Sequence, residues 1–162
     1  MSTSGKISWG ITALSLVAVA VMAYMFILKG SVTASDDGRT SIALSAGERD
    51  LVLGEMRGFL EAIQTITTGI ADKDMAAIST SARAVGAGGI GAVPTTLMGK
   101  LPLEFKSLGR STHYAFDDLA TEAQDMGDSQ VVLGKLGDLM LKCTACHAGY
   151  RLDVEAGGQQ VN

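Results

Sequence analysis

The sequence predicts an all-α protein: an antiparallel four-helix bundle preceded by a single N-terminal transmembrane helix. Apolar residues recur at alternating spacings of four and three through four separate segments, the pattern of helices packing along one face. No strand-like alternation of useful length interrupts them. The chain is 47% apolar but only 5% aromatic and holds two prolines. Its core must therefore come from Leu, Ile, Val, Ala and Met, which suits helices better than a sandwich of strands. At 162 residues there is one domain's worth of chain with little left over.

The first element is a run of 22 uncharged residues, Ile7 to Leu28, bounded by Lys6 and Lys29. A helix needs about 20 apolar residues to cross a bilayer core, so residues 1–29 read as a membrane anchor. The competing reading is a cleaved signal peptide, because Val32-Thr33-Ala34 resembles a small-residue cleavage site. A signal's apolar region is about 7–15 residues, and the longer run favours a retained anchor or an uncleaved signal. Residues 30–46 are rich in Ser, Thr, Ala, Gly and Asp with little periodicity, and read as a tether. The domain proper is expected over residues 47–152.

Within it, the first helix is expected from about Gly47 to Ala71, with Val52, Met56, Phe59, Ile63, Ile66 and Ile70 on its buried face. Asp72-Lys73-Asp74 breaks it. Asp74 can cap a short second helix, Met75 to about Val85, whose stripe is Met75, Ile78, Ala82 and Val85. Gly86-Ala87-Gly88-Gly89-Ile90-Gly91 ends that helix. It has neither the Gly-Lys-Ser/Thr ending of a phosphate loop nor the G-x-G-x-x-G spacing. It reads as a flexible crossover, kept non-helical up to Leu101 by Pro94 and Pro102. A third helix fits Leu103 to Met126, with Phe105, Leu108, Thr112, Ala115, Phe116, Leu119 and Ala123 inward. Gly127-Asp128-Ser129 turns the chain, Asp128 or Ser129 serving as N-cap. The fourth helix runs from about Gln130 to Tyr150, where Val132, Leu136, Leu139, Cys143, Cys146 and Tyr150 repeat at four and three. Residues 153–162 are a Gly/Gln-rich tail expected to fray.

Thirteen basic against 17 acidic residues give a net charge of −4. All the acidic residues and 11 of the basic ones lie beyond Gly30, so the segment from Ser31 carries −6. With no basic tract to neutralise phosphates, no nucleic-acid partner is expected. An acidic surface suits a basic protein partner instead.

Both cysteines lie in Cys143-Thr144-Ala145-Cys146-His147, with one of the two histidines. C-x-x-C-H is the attachment pattern of a c-type haem. Two thiols three residues apart can add across the two vinyl groups of one porphyrin, and the adjacent imidazole reaches the iron as proximal ligand. Positions i, i+3 and i+4 share one helix face. The motif thus assigns one haem c, attached through Cys143 and Cys146, with His147 on the iron. A closed zinc site needs four ligands, and the one further histidine, His113, lies 30 residues upstream of Cys143. A thioredoxin-like pair needs a βαβ context, and a disulfide across consecutive helical turns would restrain almost nothing. No general acid–base pair, nucleophile arrangement or second metal motif stands out. The chain reads as an electron carrier rather than an enzyme.

Cys143-Thr144-Ala145-Cys146-His147-Ala148-Gly149-Tyr150-Arg151 closely resembles the C-x-A-C-H-x-x-aromatic-Arg ending of the class II c-type cytochromes, the cytochrome c-prime family. In that family the haem motif lies near the C-terminus of the last helix of a four-helix bundle. The resemblance spans about residues 47–152 and includes Leu101-Pro102-Leu103-Glu104-Phe105. It implies attachment outside an energy-transducing membrane: a single-pass protein of the cell inner membrane, N-terminus cytoplasmic, haem domain periplasmic. The long anchor departs from the usual soluble member.

In six-coordinate members, and in bundle cytochromes that hold b haem, a methionine early in the first helix supplies the sixth ligand. The resemblance implies that role for Met56, since Phe59, Ile63 and Ile66 follow it at the spacing seen after that methionine. Methionine–histidine ligation raises the reduction potential. The plainer alternative is Met56 as core filler. Met75, Met98, Met126 and Met140 are expected at a helix start, in a loop, or in core and helix-end positions. His113 stands one position off the third helix's stripe and is expected to be partly exposed, at most touching a propionate. Arg151, at a family-typical position, is expected to pair with a haem propionate, with Arg57 a weaker candidate.

The expected function is a membrane-tethered one-haem cytochrome that carries electrons between respiratory or photosynthetic redox partners, either proteins or a membrane complex, with a homodimer left open. The alternatives are a five-coordinate protein that binds nitric oxide or carbon monoxide, and a cytochrome subunit of a larger membrane oxidoreductase.

Overall fold

The computed structural model describes residues 3–89, 91, 93–125 and 127–155. Helix α1, Thr3–Ala23, continues into wider π-helical turns at Tyr24–Lys29. The stretch Trp9–Lys29 has a mean hydropathy of 2.4 over 21 residues and is long and apolar enough to cross a membrane. It is apolar all round, with Trp9, Leu14, Leu16 and Phe26 exposed, so no polar face is available to turn to water. Gly30 then bends the chain at φ +67°, where a Cβ would strike the backbone of Lys100, Leu101 and Pro102. Only glycine meets both conditions.

A small sheet follows, which corrects the all-α expectation. Strands β1 (Val32–Ala34) and β2 (Thr40–Leu44) pair antiparallel, Val32 opposite Ile42. Strand β3 (Tyr150–Val154) joins the other edge of β2 in parallel, Thr40 opposite Tyr150 and Leu44 opposite Val154. Residues 30–46, expected as a tether, therefore carry two strands, and Ile42 and Leu44 are wholly buried. The tail expected from residue 153 begins with Asp153 and Val154 paired in β3, while residues 156–162 lie outside the described residues. Strands this short give only two or three positions of alternation. A parallel partner over a hundred residues away leaves no local trace.

Helix α2, Ala46–Asp72, starts on a capping box. The Ser45 hydroxyl accepts from the Glu48 N–H at 3.3 Å, and the Glu48 carboxylate accepts from the Ser45 N–H at 3.0 Å. Helix α3, Met75–Ala84, starts on the expected cap, Asp74, which accepts from the Ala77 N–H at 2.9 Å. The crossover departs from expectation: Ala87–Gly89 forms a 3₁₀ turn, and Thr95–Lys100 forms helix α4. Pro94 sits at its N-cap and Pro102 follows its end, so the prolines delimit a helix rather than exclude one. The Ala87 N–H is held by the Asp117 carboxylate at 2.9 Å. Ile90 of the glycine-rich run, Ala92 just after it, and Met126 lie outside the described residues. Helix α5 is Leu103–Asp125, and α6 is Ser129–Gly149 with Asp128 as N-cap.

The expected stripes meet in two cores. In the first, Ile66 of α2, Ile78 and Ala82 of α3, Phe116 and Leu119 of α5, and Val132 and Leu139 of α6 pack together, all wholly buried. Helix α5 lies along both α3 and α6, α2 packs on α3, and α2 meets α6 less extensively. The second core joins Ile42 and Leu44 of β2 to Val52, Leu97, Leu101 and Phe105. Met56, Cys146, Tyr150 and Leu152 pack against it.

Candidate functional site

The last two turns of α6 carry Cys143, Cys146 and His147. Val132, Leu136 and Leu139 fix the helix's buried face, and continuing that face by four and by three residues reaches the two cysteines. Cys143 packs against the first core with its thiol directed at the Leu139 carbonyl, 3.8 Å away, and Cys146 packs against the second core. Both are free and half-buried. Burial pushes both thiols above the ordinary cysteine value, with the neighbouring Cys143 adding to the effect at Cys146. They are protonated at neutral pH. His147 is exposed, and its imidazole makes no hydrogen bond or ion pair among the described residues.

Facing this helix end, α2 presents Arg49, Leu53 and Met56 at spacings of four and three. With Cys146, His147, Phe105, Arg39 and the β3 residues Tyr150, Arg151 and Leu152, they line a cavity of about 170 Å³. Four of the five site residues expected from sequence (Met56, Cys146, His147 and Arg151) therefore meet at one cavity. Cys143 lies one turn back and does not line it.

Three guanidinium groups stand at this cavity, each with a partner. Arg49 Nε donates to the Leu152 carbonyl at 3.1 Å. Arg39 pairs with Asp37 at 2.6 Å, holding that carboxyl well below the usual range. Arg151 pairs with Asp153 at 2.8 Å and Asp37 at 3.6 Å, and donates to the Ser35 hydroxyl at 3.2 Å. A hydrogen bond from Ser41, and then Arg151, lower the Asp153 carboxyl. Arg57, the weaker propionate candidate, is exposed and does not line the cavity. Arg49 and Arg39 escaped the sequence reading. The signal for Arg49 was its place one and two turns before Leu53 and Met56. Arg39 had none, because the β1–β2 hairpin brings it in.

The other candidate ligands are engaged elsewhere. His113, expected to be partly exposed, is 6% exposed. The buried arc of α5 is wider than one stripe and takes in Thr112, His113, Phe116 and Ala120. Its Nδ1 donates to the Val85 carbonyl at 2.8 Å, and its Nε2 lies 3.3 Å from the Glu55 carboxylate. Glu55 raises the imidazole's pKa against the opposing effect of burial. Met75 packs against the first core. Met98 lies on α4 rather than in a loop, and both Met98 and Met140 are exposed. Among the described residues, Met56 is the methionine at the cavity.

Comparison with family models, with curated proteins and with solved structures finds no match to this chain. Function therefore rests on the chain's own residues. Unpaired thiols and an unpartnered imidazole on one helix end, a thioether opposite and guanidinium groups around them form a donor set that could hold an iron porphyrin. A structural zinc is poorly served, since no group of three or more His, Cys, Asp or Glu converges among the described residues. At about 170 Å³ the cavity is smaller than a porphyrin, so the fit is one of donor chemistry rather than of a finished slot.

Proposed function

We propose that this chain is a membrane-anchored, one-haem c-type cytochrome that carries electrons, its α2, α3, α5 and α6 acting as an antiparallel four-helix bundle. The observation that carries the reading is the convergence of Met56, Cys146 and His147 on one cavity, with Cys143 one helical turn away. Cys143 and Cys146 would hold the porphyrin as thioethers, each S–H adding across one vinyl group with no oxidant required. Held there, the haem supplies reversible one-electron chemistry. His147 and Met56 would hold the iron through an imidazole and a thioether, a pairing that favours the ferrous state. Leu53, Phe105 and Leu152 exclude water from the same wall. Arg49 and Arg39 offer guanidinium groups to the propionates, and Arg151 joins them by exchanging Asp153 or Asp37 for a propionate carboxylate.

In this reading the apolar N-terminal helix is a retained anchor in the inner membrane and, as the resemblance to c-type cytochromes implies, the haem domain is periplasmic. Because that compartment is oxidising, the thiols must be captured by haem before they pair. Partners in this reading are basic redox proteins or a membrane complex. The protein purified from a host that makes c-type cytochromes should keep its haem through acid–acetone extraction. Replacing both Cys143 and Cys146 with Ser should release it. Met56→Ala should abolish the thioether-to-iron charge-transfer band and leave the iron at least partly high-spin, whereas Met75→Ala should leave the spectrum unchanged. A wild type that loses its haem to acid–acetone overturns the attachment, and a low-spin spectrum that survives Met56→Ala places the sixth ligand elsewhere. A high-spin wild type that shifts at once on carbon monoxide favours the gas-binding alternative.

A further inference from the structure

A larger cavity, of about 500 Å³, lies between α2, α5 and the α4 region, and Phe105 lines both it and the cavity at Met56. We propose that this second cavity binds a neutral, ring-hydroxylated lipophile drawn from the membrane, a quinol-type molecule. Its size is that of a small-molecule site, about 300–1,000 Å³. Its walls are mainly apolar and include the rings of Phe59 and Phe105, faces on which a flat ring can stack. Its polar lining includes the Glu55–His113 pair, 3.3 Å apart, His113 buried and Glu55 exposed at the edge. His113 uses both ring nitrogens, on Val85 and Glu55. The second carboxylate oxygen of Glu55 has no hydrogen bond among the described residues, so it can accept from a ligand hydroxyl.

The free oxygen of Glu55 suits a hydroxyl donor and repels a fatty-acid carboxylate. Lys106 also lines the cavity, but its ammonium is turned to the Phe26 and Ile27 carbonyls at 3.4 and 3.3 Å. Arg110 is exposed at the rim. Those contacts also fix the source of the ligand. Lys106, and Gly99 next to the lining residue Met98 with its Cβ position 3.3 Å from the Phe26 ring, set this side of the cavity against the end of the apolar N-terminal helix. Binding there requires no haem, whereas any passage of electrons to the neighbouring cavity rests on the carrier reading above.

The full chain in dodecyl maltoside micelles should bind 2-heptyl-4-hydroxyquinoline N-oxide, a fluorescent ring-hydroxylated probe, saturably, and lauric acid should not displace it. Gly109 and Gly58 line the cavity, and a Cβ at either meets nothing within 4 Å. A side chain can thus start at either position without a Cβ clash, and Gly109→Leu and Gly58→Leu should each narrow the cavity and weaken the probe about tenfold or more. Glu55→Gln should weaken it about fivefold by loss of a charged acceptor. Circular dichroism should show all three variants folded. Uptake no different from that into empty micelles, unchanged affinity in both leucine variants, or equal displacement by lauric acid would overturn the proposal. Haem staining of the same preparation separates the two readings. Haem without probe binding removes only the cavity ligand, and probe binding without haem removes only the carrier.

Discussion

Glu48 links three segments through one carboxylate. It closes the α2 capping box with Ser45 and takes the Lys100 ammonium at 2.7 Å, while Lys100 also holds Glu155 at 2.8 Å. The Lys100 hydrogen bond is the main reason its carboxyl is pulled down to about 2, outweighing the opposing effect of burial. A folded pKa below the unfolded one adds stability above the ordinary carboxylate value, and that stability is lost as pH falls through about 2. Lys100→Met should raise the acid-unfolding midpoint and cost about 2 kcal/mol at neutral pH, between the values for exposed and buried pairs. An unchanged midpoint by circular dichroism would show the pair idle. His113 runs the other way. Its folded pKa is raised by Glu55, so its contribution is full below the unfolded value of about 6.5 and fades as pH rises through the folded one. Glu55→Gln should lower the His113 pKa in an NMR titration. At this scale the sequence was legible where spacing carries chemistry. Cys143, Cys146 and His147 lie within five residues, and Met56 heads the row that continues through Phe59, Ile63 and Ile66. The His113–Glu55 pair and the Arg39–Asp37–Arg151 cluster were not legible, because each is made by elements distant in the chain.

The long elements read true because their signals are repeated. Twenty-seven residues of α2 give six expected inward positions, and Ser45 and Glu48 mark its start. Ser45→Ala should remove that cap and cost about 1 kcal/mol, read as a lowered melting temperature. The sheet was missed because each strand offers too few residues to show a period. Its place in the fold is nevertheless fixed by burial. Leu44 is wholly buried and packs with Val52, Leu97 and Phe105 in the second core. Leu44→Ala should therefore cost about 2–5 kcal/mol, as for other buried leucines. A free tether would tolerate the change without loss, so a silent substitution would return residues 30–46 to a linker. Helix α4 was missed for a different reason. Pro94 and Pro102 were read as breakers, yet proline stops a helix only from its interior and suits the position just before one.

For the whole molecule, the decisive question is whether the apolar N-terminal helix stays attached, and the sheet bears on it. The Val32-Thr33-Ala34 segment that resembles a cleavage site is β1, paired across its length with β2. Just before it, the Ser31 N–H donates to the Lys100 carbonyl at 2.7 Å, and the Ser31 carbonyl accepts from the Ala43 N–H at 2.9 Å. Cleavage after Ala34 would remove all of these bonds and bare one edge of β2, the kind of edge that recruits other chains. Cleavage after Gly30 would spare them. The full chain should therefore stay with membranes through alkaline extraction and keep residues 1–34 by intact mass. Of two truncated chains, the one beginning at Ser31 should melt higher than the one beginning at Ser35, by about 4 °C for a β1 contribution of about 1 kcal/mol. The shorter chain should also aggregate more readily. Finding a soluble native protein that begins at Ser35, or equal melting of the two truncations, would make the helix a signal and β1 dispensable.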